Sequence, residues 1–406
     1  MEHAGRLAAL YRDLHAHPEL SFAEHRTAGI AARHAEAAGW TVTRGVGRTG
    51  VVAELRNGPG PTVLLRADMD ALPVRERTGL EYASTVTATD PDGVEVPVMH
   101  ACGHDVHVTC LIGAVEELTR QRDRWSGTVL AVFQPAEERG GGARAMIDDG
   151  LYDRFPVPDV VLGQHVSPMP AGMAGCHPGP AFAAADVLRV RMFGRGGHGS
   201  RPETTVDPVV MAAATVMRLQ TVVAREVAAA DTAVVTVGML RAGSKENVIP
   251  DEAELGISVR SFTEPVRARV LEAVHRIVRA EAAAAGAPKE PEITTDRGFP
   301  VVVNDPDAAA RTVAALRGAL GAELVIDPGP VSGSEDVGHL ATAAGAPLCY
   351  WLLGGADPEV FARATADGTV DRDLPSNHSP HFAPVVEPTL TTGVRTLTTA
   401  AREWLD

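Results

Sequence analysis

Aromatic residues make up only 4% of this 406-residue chain, and it has just four cysteines. Cys102, Cys110, Cys176 and Cys349 form no C-x-x-C pair and no regular framework, which excludes a disulfide-stapled secreted scaffold. No run of about 18 uncharged apolar residues occurs, so a helical membrane span is not expected. Met1 to Leu20 is polar and charged, without the apolar stretch of a secretory signal, and a reducing cytoplasm is the expected compartment. Positive charge is scarce. The 37 Lys and Arg against 52 Asp and Glu leave a formal charge of -15, which argues against nucleic acid or an anionic membrane as partner. The remaining composition, 45% hydrophobic and 22% charged, is globular and can bury a large core. The length suits two or three domains.

Residues 4–15 and 22–38 read as helices, the second opened by a capping box of Ser21 and Glu24. Val51–Leu55, Thr62–Ala67, Thr128–Phe133 and Val157–Leu162 read as short buried strands, and Val106–Leu118 as an amphipathic helix. This alternation predicts an α/β domain with a largely parallel sheet. A different rhythm follows. Strand Ala185–Phe193, a helix from Asp207 to Glu226, strands Ala233–Leu240 and Ala253–Ser261, helix Glu264–Ala285 and strand Glu290–Thr295 give the order β-α-β-β-α-β of a ferredoxin-like module. The α/β pattern resumes with a helix near Pro306–Leu320, strand Leu348–Leu353 and helix Pro388–Trp404. The simplest organisation is one discontinuous domain, 1–181 and 295–406, carrying a second domain at 182–294.

Met99-His100-Ala101-Cys102-Gly103-His104-Asp105 packs thiol, imidazole and carboxylate into seven residues, the groups that hold zinc-like metals. Glu137-Glu138, His165 and Asn377-His378-Ser379-Pro380 add further ligand types from distant points. Arg66–Asp70, Gln134–Glu138 and Gly163–His165 each follow a strand, and in open α/β sheets sites form beyond the carboxyl ends of strands. Cys102, His104, one glutamate, His165 and His378 make five ligands, more than the three of a single catalytic zinc. Two divalent ions sharing a ligand fit better, with the second glutamate kept as a base beside an activated water, the equipment for hydrolysis. Zinc or manganese suits this mixed set best, with cobalt and nickel also compatible.

These residues resemble the dinuclear-metal aminoacylase and carboxypeptidase superfamily, and within it the branch of hippurate hydrolases, N-acyl-amino-acid amidohydrolases and auxin-conjugate hydrolases. The resemblance runs nearly end to end, through Leu14–Leu20, Arg66–Pro73, His100–Asp105, Phe133–Glu138, Gly196–Ser200, Asn247–Pro250, Ser334–Asp336 and Asn377–Pro380. It implies that Cys102, His104, Glu138, His165 and His378 hold the metals, with Cys102 where other branches place a bridging aspartate. It implies Glu137 as general base. It gives His198 the oxyanion, reached from a partner subunit of a homodimer built through the inserted lid domain. Asn247 and Arg260 match positions that hold the substrate carboxylate. Apart from the resemblance, Asp68 and Asp70 read as strand ends, with Asp68 alternatively a partner that orients a metal ligand. The implied substrate is a small N-acyl amino acid or conjugate. The alternatives are a dipeptidase or exopeptidase with the same residues and a different pocket, or a non-catalytic metal-binding relative. Retention of Glu137 and His198 counts against the last.

Other residues take plainer readings. His100 and His107 support or orient the site, and His15 and His17 pack or cap. Arg66 stands where other branches have a metal-binding histidine and cannot be a ligand. Cys110, Cys176 and Cys349 are read as inert, and Gly140-Gly141-Gly142 as a flexible turn. Gly194–Gly199 satisfies G-x-G-x-x-G, but Pro202 follows and no helix opens there, so it is not a dinucleotide site. Val337, Ala383-Pro384 and Gly243–Glu246 depart from the family pattern around the pocket rather than at the metal.

Overall fold

Four strands from the first third of the chain and four from later segments pair into one eight-stranded sheet, described by a computed structural model covering residues 2–405. Its strand order is Thr41–Val46, Gly50–Asn57, Gly127–Gln134, Thr62–Asp68, Val160–Pro170, Leu348–Ala356, Ala174–Gly175 and Val325–Ile326. The four long inner strands, Gly127–Gln134 to Leu348–Ala356, run parallel. Thr62–Asp68 is buried almost throughout, as expected where a parallel sheet is covered on both faces. Helices His104–Arg120 and Thr389–Leu405 pack on each other and on these strands, and Val108, Leu111, Leu397 and Ala400 join the strand residues in one core. This unit comprises the chain up to Gly179, Val303–Gly329 and the chain from Asp336 onward.

The second unit, Pro180–Val302 with Pro330–Glu335, has its own core. Four of its strands form an antiparallel sheet in the order Ala233–Ala242, Glu252–Ser261, Ala184–Phe193, Glu292–Phe299, the order of a ferredoxin-like βαββαβ module. Asp207 caps the helix Pro208–Glu226 by accepting from the Val209 N–H at 2.8 Å, with Pro208 opening it. The unit is longer than 182–294. Strand Glu292–Phe299 pairs with Ala185–Arg191 as far as Phe299, with one register shift between Val187 and Leu188, and residues 330–335 return to the unit, Val331 donating to Ala181 O and Ala183 to Val331 O.

Three local expectations are corrected. Glu24 does not close a capping box: it is the residue before helix His25–Ala37 and makes no cap bond there, and its carboxylate instead accepts from the N–H groups of Phe22 and Ala136. Ser21 donates to Asp70. His165 lies inside a strand rather than after one, because Val160–Pro170 continues along Leu348–Ala356 with His165 opposite Leu352. Gly140–Gly142 is no loose turn. A Cβ on Gly142 would stand 1.5 Å from the Pro135 carbonyl oxygen, so backbone meets backbone there.

Candidate metal centre

Register puts the chemistry at one edge of the sheet. Asp68 lies opposite Gln134, and Arg66 opposite Gly163 two residues before His165, so three neighbouring strands deliver Asp68 and Asp70, Glu137 and Glu138, and His165 to the same level. The fourth contribution is the N-terminus of helix His104–Arg120. Gly103, which precedes it, has φ 81°, and a Cβ there would meet Val166 Cγ1 at 2.3 Å, so only glycine lets Cys102 and His104 flank the strand so closely.

Ligand atoms gather in two adjoining triplets, Cys102–His104–His165 and Cys102–Glu138–His378, each with its atoms mutually within 4.8 Å. Cys102 belongs to both. Cys102 Sγ is 3.5 Å from His165 Nε2, His378 Nε2 is 3.4 Å from Glu138 Oε1, and His104 Nε2 is 3.9 Å from the same oxygen. Ligands around a tetrahedral zinc stand about 3.4–3.6 Å apart, given metal–ligand bonds near 2.0–2.3 Å. Glu137 is buried and forms a third close group with His104 and Glu138.

The rings are aimed by their other nitrogens. His165 Nδ1 donates to the Val166 carbonyl at 2.8 Å, which turns Nε2 to Cys102. His104 Nδ1 donates to Asp70 at 3.2 Å, which leaves an Nε2 lone pair, buried and without a hydrogen-bond partner, facing Asp68 Oδ2 at 3.5 Å. A lone pair that faces carboxylate oxygens and a thiol is a site for a cation, so these residues fit a metal ion. The same excess of negative groups moves the proton affinities. Burial would raise the Cys102 thiol, but the His165, His104 and His378 rings hold it well below its usual range. His378 is raised to about 10 by hydrogen bonds to Cys102 and Glu138. Burial opposes protonation of His165, yet Cys102 raises it to about 9. Burial and the Cys102 charge push Glu138 up to about 7.

His107 is not a ligand. Its Nε2 accepts the Val166 N–H at 2.8 Å and its Nδ1 donates to Asp68, so both nitrogens are committed. Asp68 also accepts from Arg66 at 2.8 Å, and the buried Arg66 guanidinium reaches Gln134, Tyr350 and Asp336. Asp68 therefore meets a ligand only across 3.5 Å, whereas Asp70 hydrogen-bonds His104 and accepts the Glu137 and Glu138 N–H groups. The sequence reading left Asp70 as a strand end. Its spacing of two residues from Asp68 was the one available signal, since alternate residues of an extended segment point to the same side. Asn377 donates to the carbonyls of Cys102 and Val166, tying together the backbones that carry two candidate ligands, Cys102 and His165. His100 is buried with neither nitrogen hydrogen-bonded, and burial lowers it to about 4.

In the second unit, His198 is exposed and pairs with Val248 across a two-residue ladder. Its Nδ1 accepts the Ser200 N–H at 3.1 Å, which fixes the proton on Nε2. Asn247 is exposed. Arg260 Nη1 donates to Ser332 O at 2.6 Å and Ser334 Oγ at 3.1 Å, so a bidentate grip falls to its Nε–Nη2 edge.

His15, read from sequence as a packing residue, is a buried clasp. It bonds Asp105 at 2.7 Å and Glu76 at 3.0 Å. Burial disfavours its charge, but the two carboxylates raise it to about 10. Since the folded value exceeds the unfolded 6.5, this stabilisation is full below about pH 6.5 and is lost as pH rises through about 10. Urea denaturation between pH 7 and 9 is expected to show stability falling by about 1.4 kcal/mol per pH unit from this group. His15→Gln should remove that slope; an unchanged slope would refute the clasp.

An α/β sheet whose carboxyl edge gathers thiolate, imidazole and carboxylate around a buried glutamate defines a metal-dependent hydrolase. The chain belongs to peptidase family M20/M25/M40, whose profile matches residues 64–402. It is 35% identical over 371 residues to thermostable carboxypeptidase 1 of Saccharolobus solfataricus, covering 89% of this chain and 90% of that one. It is 38% identical over 313 residues to the N-acyl-L-amino acid amidohydrolase of Geobacillus stearothermophilus, covering 75% and 81%. A Bacillus subtilis crystal structure, described as a dinuclear metal binding peptidase from the M20 family, matches with TM-score 0.77 at 30% identity over 100% of this chain and 99% of that one.

Proposed function

We propose that the protein is a cytoplasmic two-metal amidohydrolase that cleaves N-acyl amino acids or similar conjugates to an amino acid and a carboxylic acid. The observation that carries this reading is the pair of ligand triplets sharing Cys102 with Glu137 buried alongside. Cys102, His104 and His165 would hold one divalent ion and Cys102, Glu138 and His378 the other, with zinc or manganese favoured by the mixed ligands. Bound there, the ions supply Lewis acidity and lower the pKa of water. Glu137 takes the proton of the attacking water and returns it to the leaving amine nitrogen. The His198 Nε2–H stabilises the oxyanion, and Asn247 with Arg260 holds the substrate carboxylate.

The second unit acts as lid and homodimer surface. Exposed Val210 and Met217 on its helix, and Val234 and Leu240 on its edge strand, support that role. A cytoplasmic setting is supported by four free cysteines. Among the described residues no helix is long and apolar enough to cross a membrane.

The amidohydrolase relative supports the acyl substrate, while the carboxypeptidase relative favours a peptide one. Amino-acid release from N-acetyl, N-benzoyl and indole-acyl amino acids, set beside dipeptides, separates the two. Preference for the acyl series is expected. Preference for dipeptides would move the assignment to an exopeptidase, and no turnover by metal-loaded protein would favour a non-catalytic relative.

A further inference from the structure

Three consecutive backbone N–H groups at the turn bearing Glu137 and Glu138 end on two carboxylates. Ala136 donates to Glu24 at 2.9 Å, while Glu137 and Glu138 donate to Asp70 at 3.1 and 3.0 Å. Ala136 has φ 48° and ψ 42°, a left-handed conformation that a residue with a Cβ keeps only where its surroundings hold it. Glu24 is wholly buried and caps no helix. It also accepts from the Phe22 N–H at 2.8 Å and from the Thr49 hydroxyl. Ser21 donates to Asp70 at 2.6 Å, so residues 21–24 grip the turn from both sides. They precede the 64–402 stretch that the family profile matches.

We propose that Glu24 is a positioning residue for hydrolysis, holding Ala136 in its left-handed conformation so that the next residue, Glu137, presents its carboxylate to the attacking water. This rests on the reading of Glu137 as general base. Without the Glu24 bond, the Ala136 backbone loosens, and even a modest shift there re-aims the Glu137 side chain. Asp70 keeps its own bonds to the Glu137 and Glu138 N–H groups and to His104, so metal binding is expected to survive. The predicted signature is a defect in turnover rather than in substrate or metal affinity.

The test uses metal-loaded enzyme with wild type, Glu24→Ala, Glu24→Gln and Glu137→Gln in parallel. In Glu24→Ala, kcat is expected to fall about 10–100-fold, with KM changed less than about threefold, since sub-ångström misplacement of a reacting group acts on the chemical step. Ions per chain should be unchanged, and hydrogen exchange across 134–139 should accelerate. Glu24→Gln keeps a carbonyl acceptor for the Ala136 N–H and should recover kcat to within about fivefold of wild type. If Glu24→Ala fails to fold, Glu24→Asp, which withdraws the carboxylate by one methylene, carries the same expectation. Wild-type kcat in the Ala or Asp variant, a Gln variant as impaired as the Ala variant, a loss confined to KM or to metal content, or unchanged exchange at the turn would each overturn the proposal. Full activity in Glu137→Gln would overturn the base assignment instead. The exchange result would then still decide whether Glu24 holds the turn.

Discussion

Glu137→Gln is expected to lower kcat by about 10²–10⁴-fold, the usual contribution of a general base, while both ions stay bound. Glu137 belongs to neither triplet that shares Cys102, so its loss should cost the proton acceptor and no metal ligand. Gln is isosteric, and the N–H of residue 137 still reaches Asp70, so the turn should hold. KM should change little, because a group that acts on the proton in flight contributes little to ground-state binding. Steady-state kinetics with elemental analysis of the same sample checks this. Equal losses of kcat and of metal would make Glu137 a ligand instead.

Cys102→Ala is expected to be more damaging still, because one side chain serves both triplets. Removing it takes a ligand from each ion and a negative charge from between three histidines. The variant should retain less than one ion per chain after desalting and lose at least about 10³-fold in turnover, beyond the 10–100-fold typical of residues that only orient a ligand. Asp is the instructive contrast. A carboxylate can also bridge two ions, so Cys102→Asp should recover part of both the metal content and the rate. An alanine variant that binds two ions normally would show that Cys102 is only a buried small residue.

The parts of the structure that rest on periodicity were legible in the sequence. Thr62–Asp68 and Gly127–Gln134 announce themselves by short apolar runs opened by Thr-Val, and the helix Pro208–Glu226 by Asp-Pro at its start. The candidate ligands stood out because thiol, imidazole and carboxylate cluster in short motifs. What escaped was whatever depends on how distant segments meet. Asp70 and Asp68 look alike in sequence, and only the fold shows that Asp70 bonds His104 while Asp68 serves His107 and Arg66. Ser21 and Glu24 have the spacing of a capping box, yet Ser21 turns to Asp70 and Glu24 to the N–H groups of Phe22 and distant Ala136. Cys176 and Cys349, 173 residues apart, lie with their sulfurs 3.8 Å from each other through pairing of Leu348–Ala356 with Ala174–Gly175. The helix Pro358–Asp367 also escaped: it is only ten residues long, with Ala364 as its one buried residue.

The central claim is that two ions held around Cys102 are needed for amide hydrolysis. Its most direct test is to strip the protein of metal, add zinc or manganese stepwise, and follow amino-acid release from an N-acyl amino acid against ions bound per chain. Negligible turnover is expected in the stripped protein, with a rate that reaches its maximum only at two ions per chain. Full turnover at one ion, or turnover indifferent to metal, would contradict the claim.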